Sequence, residues 1–179
     1  MEQLGEMKSE LDKTPYYKKR LEEGKWFQDF VQEQLYKHGL SIVSYSSKEY
    51  QHKYGENRAG IEMKYDQKYK EKHNLFIEIA EKSHPENPNF IPSGIYADNN
   101  TWLYLIGDED EFFIFAKNFL IQWHKEDKFR TVFGYPAGDY LKIKPTSKGY
   151  LIPVNQARKK YAILTIKLNN PQGGLFKEF

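Results

Sequence analysis

The sequence predicts an α/β (α+β) fold, in which a central mixed sheet is flanked by helices. The first observation is Thr14-Pro15, a hydroxyl N-cap followed by the residue favoured at the first helical position. The second is an alternation of apolar and polar residues over 60–65 and 75–82, typical of strands with one buried face. The third is a pair of apolar runs, 102–106 and 112–115, separated by an acidic turn. Helical and strand patterns therefore occur in turn along one chain.

The helix that starts at Pro15 is expected to end near Gly39, where a C′ glycine belongs. Its apolar residues Phe27, Phe30, Val31 and Leu35 follow the spacing of a buried helical stripe. The other predicted elements are a strand over 41–45, a helix over 118–126, a turn over 134–138, a basic helix over 156–160 after an N-cap at Asn155, and a last strand over 162–168.

Length and composition predict one globular domain. The chain has 179 residues, of which 39% are hydrophobic and 29% charged, and it shows no repeat or linker. We expect a lead-in segment over 1–14 and a single domain over 15–179. No apolar run approaches the roughly 20 residues that span a bilayer, and the N-terminus lacks the layout of a signal peptide. The chain also has no cysteine, which excludes disulfides and thiolate chemistry and favours a cytoplasmic protein without a membrane partner.

Charge is distributed unevenly along the chain. Residues 1–127 carry 17 Lys and Arg against 23 Asp and Glu, whereas residues 128–179 carry 10 against 2. A basic extension from about residue 128 indicates an anionic partner; the alternative is an ordinary solvated surface. Six basic residues, interleaved with tyrosines, are candidates for binding nucleic-acid phosphates: Lys142, Lys144, Lys148, Arg158, Lys159 and Lys160.

The two alternating strands carry the candidate chemistry. Glu62 and Lys64 share one face of the first, and Glu78 lies on the polar face of the second. If the strands form an antiparallel hairpin turning near Lys70, Glu62 lies opposite Glu78, and two like charges there repel. A divalent cation, magnesium or manganese, would relieve the repulsion by taking both carboxylates as ligands. The alternative is a solvated outer face of a hairpin without chemistry.

A helix, a strand and this hairpin together resemble the PD-(D/E)XK nuclease superfamily. The first acidic position would be Glu62, in Gly60-Ile61-Glu62-Met63-Lys64, and the second Glu78, in Phe76-Ile77-Glu78-Ile79-Ala80. The resemblance covers about 26–115, and it includes Pro92-Ser93-Gly94-Ile95-Tyr96 after the second strand. It implies a restriction-endonuclease-like core and a Mg-dependent endonuclease that hydrolyses phosphodiester bonds, with nucleic acid, DNA above all, as substrate.

Two positions depart from the pattern of this family. Ala80 stands where the family carries lysine, so Lys82 or Lys64 would be a migrated lysine with the catalytic role. The acidic position of the first helix corresponds to Gln28, with Asp29 and Glu33 nearby. Ala80 favours the alternative function, a non-catalytic nucleic-acid-binding or interaction module that keeps the nuclease fold. Analogy with nucleases that cut both strands suggests a homodimer.

Overall fold

The computed structural model describes residues 15–37, 39–135 and 144–168. Three predicted features lie outside these ranges: the lead-in segment 1–14, which includes Thr14, the turn residues 136–138, and Lys142. The helices are α1 Pro15–Lys37, α2 Lys48–Tyr54, α3 Tyr69–Lys72, α4 Lys117–Lys125 and α5 Val154–Gln156, with a 3₁₀ turn at Gly94–Tyr96 and a π-helical turn at Ala157–Tyr161. The strands are β1 Ile61–Tyr65, β2 Asn74–Glu81, β3 Ile91–Pro92, β4 Leu103–Gly107, β5 Glu111–Ala116, β6 Thr131–Gly134, β7 Ser147–Pro153 and β8 Leu164–Lys167.

The strands form two four-stranded sheets. The first has the order β1-β4-β5-β8, with β1 parallel to β4 and the remaining pairs antiparallel. The second has the order β3-β2-β7-β6 and is antiparallel throughout. A mixture of α and β structure is therefore confirmed, but the described strands are divided between two sheets instead of forming one central mixed sheet.

The predicted hairpin between β1 and β2 is wrong. Among the described strands, β1 is an edge strand that pairs with β4, so that Glu62 lies beside Tyr104. β2 lies between β3 and β7 in the other sheet, where Glu78 pairs with Gly149. The connection between β1 and β2 explains the difference, because it contains the helical turn α3 and His73 in the left-handed conformation, φ 55°. Such a connection redirects the chain instead of closing a tight hairpin.

The helix α1 packs on the first sheet as its apolar stripe predicts. Phe27, Val31 and Leu35 are at most 2% exposed and form a core cluster with Met63 of β1. The helix ends as predicted, with Gly39 at φ +83° and the Leu40 N–H donating to the Leu35 carbonyl. The strand predicted over 41–45 is wrong, because only an isolated bridge from Ser44 to Asn57 forms there.

A second core lies between the two sheets and α4. The predicted apolar face of β2, Leu75, Ile77 and Ile79, is buried in it together with Tyr104 and Tyr150. The predicted strands near 102–115 and the helix near 118–126 are confirmed as β4, β5 and α4, shifted by a residue. No helix among the described residues is long and apolar enough to cross a bilayer.

The C-terminal elements differ more from the prediction. Residues 147–153 form β7, a central strand of the second sheet, where no strand was predicted. The helix after it starts at Val154, with Pro153 as its N-cap, so Asn155 is not the cap. The basic stretch continues as the π-helical turn before β8.

Candidate active site

Side chains from both sheets meet around one lysine. The Lys64 ammonium of β1 lies 2.7 Å from a carboxylate oxygen of Glu62. Lys64 also lines a cavity of about 500 Å³ together with Glu78 of β2. The charges of Glu62, Tyr104, Glu56 and Glu78 all raise the pKa of Lys64, with Glu62 the strongest cause, and this pKa lies well above its ordinary value. Lys64 is therefore a permanent cation at the centre of a group of carboxylates.

Glu62 is almost completely covered, at 7% exposed. Its neighbour in the sheet is Tyr104, which is 1% exposed. Burial raises the pKa of the Tyr104 hydroxyl, and the nearby Lys64 opposes that effect. A buried carboxylate is costly unless it is paired, and the ammonium of Lys64 provides the pair. The expected sharing of one face by Glu62 and Lys64 is thus confirmed.

The position of Glu78 depends on local backbone irregularities. The register between β2 and β7 shifts between Glu78 and Ala80, a bulge of the kind that redirects side chains. The buried Ser93 hydroxyl donates a hydrogen bond of 2.8 Å to Oε1 of Glu78. Gly94 allows Ser93 to come this close, because it has φ +54° and no side chain. A Cβ at Gly94 would lie 2.3 Å from the Glu78 carbonyl oxygen.

Burial raises the pKa of Glu78, and Lys64 and the hydrogen bond from Ser93 partly oppose that rise. The negative charge of Glu62 also raises the Glu78 pKa. The two glutamates therefore interact across the gap between the sheets, although they are not cross-strand neighbours. Their electrostatic coupling follows from the approach of the edge strand β1 to β2, an interior strand of the other sheet, and not from a shared ladder of hydrogen bonds.

A third carboxylate, Glu56, was not predicted. It lies in the loop before β1 and accepts a hydrogen bond of 2.9 Å from the Met63 N–H. Asn57 holds this loop against β1 through two hydrogen bonds to the backbone of Ile61, of 2.6 and 3.1 Å. Burial, and next the charge of Glu62, raise the pKa of Glu56 to about 7. A carboxyl group with this pKa can take up and release a proton near neutral pH.

The first helix contributes an acidic residue at an unexpected position. Glu23 is 4% exposed and forms an ion pair of 2.8 Å with Arg20. It lines a polar cavity of about 440 Å³ together with Glu56 and Lys64. Of the predicted positions, Gln28 lines the same cavity, but Asp29 is exposed and Glu33 pairs with Lys37 on the surface.

A sequence signal for Glu23 did exist. Glu23, Phe27, Val31 and Leu35 are spaced by four, so Glu23 continues the buried stripe of α1 by one turn. Glu56 and Ser93 had no such signal. Both lie in irregular segments, where no periodicity relates a residue to a face.

The two candidate lysines have different surroundings. The Lys82 ammonium lies over the ring of Phe90, 4.5 Å from its centroid, and Lys82 lines neither of the two cavities. Lys64 lines both of them. The structure therefore brings Lys64 together with Glu62 and Glu78, and it does not bring Lys82 there.

A magnesium or manganese site formed by Glu62 and Glu78 stays a prediction. Among the residues that the structure describes, no group of three or more His, Cys, Asp or Glu side chains could hold a metal ion. Magnesium usually takes only one or two carboxylates and completes its shell with waters and substrate phosphate. Glu62 and Glu78 provide that number of carboxylates, with an electrostatic coupling that a cation would relieve.

The predicted phosphate-binding residues do not share one environment. Arg158 donates to both carboxylate oxygens of the buried Glu111, at distances from 2.5 to 3.1 Å, which ties it to the core. Lys144 pairs with Glu86 on the surface. Lys159 and Lys160 are exposed. Lys148 is half-buried and pairs in the sheet with Phe133, which lines the same cavity as Lys64 and Glu78.

No family model, curated protein or solved structure matches the chain. The geometry and chemistry of these side chains are therefore the basis on which a function is inferred.

Proposed function

We propose that this protein is a metal-dependent phosphodiesterase that hydrolyses nucleic acid. The observation that supports the proposal best is the position of Lys64, which lies 2.7 Å from Glu62 and lines the same cavity as Glu78. A carboxylate and a cation that line one cleft suit phosphodiester hydrolysis, since the reaction develops negative charge on the phosphoryl oxygens, and the buried Glu62 lies behind them, paired with Lys64. The resemblance to the PD-(D/E)XK superfamily depended in part on a β1–β2 hairpin that does not form, so the side chains themselves support the proposal.

Each side chain then has a defined task. A magnesium or manganese ion held by Glu62 and Glu78 would supply Lewis-acid stabilisation of the phosphoryl charge. Lys64 has three N–H donors; one bonds to Glu62, and another is available to a phosphate oxygen while water adds to phosphorus and the bond to the leaving oxygen breaks. Ser93 orients the Glu78 carboxylate through its hydrogen bond of 2.8 Å.

The test is a cleavage assay on the full chain. Single-stranded, duplex and branched DNA, and RNA, are incubated with magnesium, manganese or EDTA, and the products are resolved on denaturing gels. We expect metal-dependent products, and a loss of about a hundredfold or more in rate for Glu78→Gln. Glu81→Gln is the matched control, because Glu81 is an exposed glutamate of the same strand. Absence of product on every substrate, or equal losses in the two variants, would overturn the proposal.

A second candidate function is a binding module that retains this architecture without hydrolysis. Two residues favour this second function. Ala80 stands where a lysine is expected two residues after Glu78, and Lys82, which lies over Phe90, does not replace that lysine. Such a module would bind nucleic acid with an affinity that falls steeply with salt, and it would give no metal-dependent product. The same cleavage assay, combined with a binding titration at two salt concentrations, distinguishes the two functions.

A further inference from the structure

Three aromatic rings form a cluster where α4 meets the π-helical turn. The Trp123 ring of α4 makes edge contacts with the ring of Phe129, at a centroid distance of 6.0 Å, and with that of Tyr161, at 5.0 Å. The Phe129 and Tyr161 rings contact each other at 5.2 Å. All three side chains are half-buried and pack against the core between the sheets. This Trp123 cluster lines neither cavity of the candidate active site.

Two lysines lie over the rings of the Trp123 cluster. The Lys128 ammonium lies 5.3 Å from the centroid of Trp123 and 4.9 Å from that of Tyr161, and the Lys160 ammonium lies 5.5 Å from that of Tyr161. A ring face attracts an ammonium group through its quadrupole, but it carries no net charge. Both lysines are exposed, and neither forms an ion pair with a described carboxylate. Their positive charges therefore stay open to an anion from solvent.

Other exposed lysines of the described surface have different partners. Lys37 pairs with Glu33, and Lys144 pairs with Glu86. In each pair a carboxylate already compensates the ammonium charge, so a phosphate would have to compete with that carboxylate. The ring-bound lysines of the Trp123 cluster can accept a phosphate without this competition.

Positive charge exceeds negative charge around the Trp123 cluster. The segments 123–130 and 157–161 contain two acidic residues, Glu126 and Asp127. Arg158 is compensated by the buried Glu111. The five other basic residues of these segments are exposed, and none forms an ion pair with a described carboxylate: Lys125, Lys128, Arg130, Lys159 and Lys160. The surface therefore complements a partner that carries many negative charges.

We propose that the Trp123 cluster and its lysines bind the phosphate backbone of nucleic acid, outside the two cavities of the candidate active site. This inference rests on the proposed function and names a surface that holds the same substrate. Unpaired cations spread over a surface suit a chain with one charge at each phosphate, whereas a single free anion needs donors that converge on one point. Lysine is depleted from the cores of protein–protein interfaces. Phe119, which stacks on Trp123 and is 48% exposed, adds the exposed ring that often accompanies lysines at nucleic-acid-binding surfaces.

The test measures binding by fluorescence anisotropy, on the full chain carrying Glu78→Gln so that the probe is not hydrolysed. The probes are labelled oligonucleotides of unrelated sequences, single-stranded and duplex, over a series of salt concentrations. The double variant Lys128→Ala/Lys160→Ala should flatten the slope of log Kd against log salt by about 1.4 for single strands and about 1.8 for duplexes. The loss should be similar for every sequence, and Lys128→Arg/Lys160→Arg should retain the parent slope.

The control is Lys37→Ala/Lys144→Ala, which removes the same charge from exposed lysines that already pair with carboxylates. Its slope should stay near that of the parent protein. Equal changes in the two alanine variants would overturn the inference. Binding of polyglutamate or of phosphatidylserine vesicles that depends on Lys128 and Lys160, while oligonucleotide binding does not, would also overturn it.

Failure of this inference is distinct from failure of the proposed function. Metal-dependent cleavage to which Lys128 and Lys160 contribute nothing keeps the enzyme and removes the surface. Oligonucleotide binding that depends on these lysines, without metal-dependent products, removes the enzyme and keeps the surface.

Discussion

Glu56 predicts a pH dependence of stability that one substitution should remove. Its carboxyl group accepts the Met63 N–H at 2.9 Å, and its pKa is about 7 in the folded protein against 4.5 as the ordinary value. Burial is the first cause and the charge of Glu62 the second. Glu56→Gln replaces the carboxyl with a neutral group of similar shape, whose amide oxygen can accept the same hydrogen bond.

The sign follows from the direction of the shift. Because the folded protein binds the proton more tightly than the unfolded chain, the contribution of Glu56 to stability is fully present below pH 4.5 and is lost as the pH rises to about 7. Each pKa unit corresponds to about 1.4 kcal/mol, so ionising Glu56 costs at most about 3.5 kcal/mol. Partial solvation and Lys64 reduce that cost, and we expect Glu56→Gln to be more stable by about 1–3 kcal/mol at pH 8 and nearly unchanged at pH 5.

Urea unfolding, followed by tryptophan fluorescence at pH 5 and pH 8, measures the effect. Glu22→Gln is the control, because Glu22 is an exposed glutamate of α1 and its change should be similar at the two pH values. The reasoning is refuted if Glu56→Gln has the same pH dependence as the parent protein, or is the less stable of the two at pH 8.

Three further substitutions test the packing that positions the site, each by thermal or urea unfolding. Gly94→Ala should destabilise the protein by more than about 2 kcal/mol, because its φ is +54° and the new Cβ would meet the backbone of β2. Gly24→Ala in α1 is the comparison: its new Cβ meets no atom within 4 Å, and it should stabilise the protein by about 0.5–1 kcal/mol. Tyr150→Phe should cost about 1–2 kcal/mol, because the buried hydroxyl donates at 2.9 Å to a helix carbonyl. Arg158→Ala should cost about 2 kcal/mol at neutral pH, because it leaves the carboxylate of Glu111 buried without its partner. A neutral result for Gly94→Ala or for Arg158→Ala would contradict these accounts.

Several features of the candidate site follow from patterns that any strand or helix imposes on its sequence. Glu62 and Lys64 are two positions apart in one strand, so they share a face whichever strand pairs with theirs. The same rule places Glu78 opposite the apolar face formed by Leu75 and Ile77. These relations are local, and they hold in the structure although the predicted hairpin does not.

The sequence by itself determined the helix over 15–37 with its glycine stop, the buried face of β2, and the charged faces that carry Glu62, Lys64 and Glu78. Only the tertiary structure decided that β1 joins β4 and β2 joins β7, that Lys64 and not Lys82 lies among the carboxylates, and that Glu56, Glu23 and Ser93 complete the cluster. The physical reason is the range of the interactions. Periodicity reports how a residue is oriented relative to its neighbours in the chain, whereas strand pairing and the approach of the two sheets depend on contacts between segments distant in sequence.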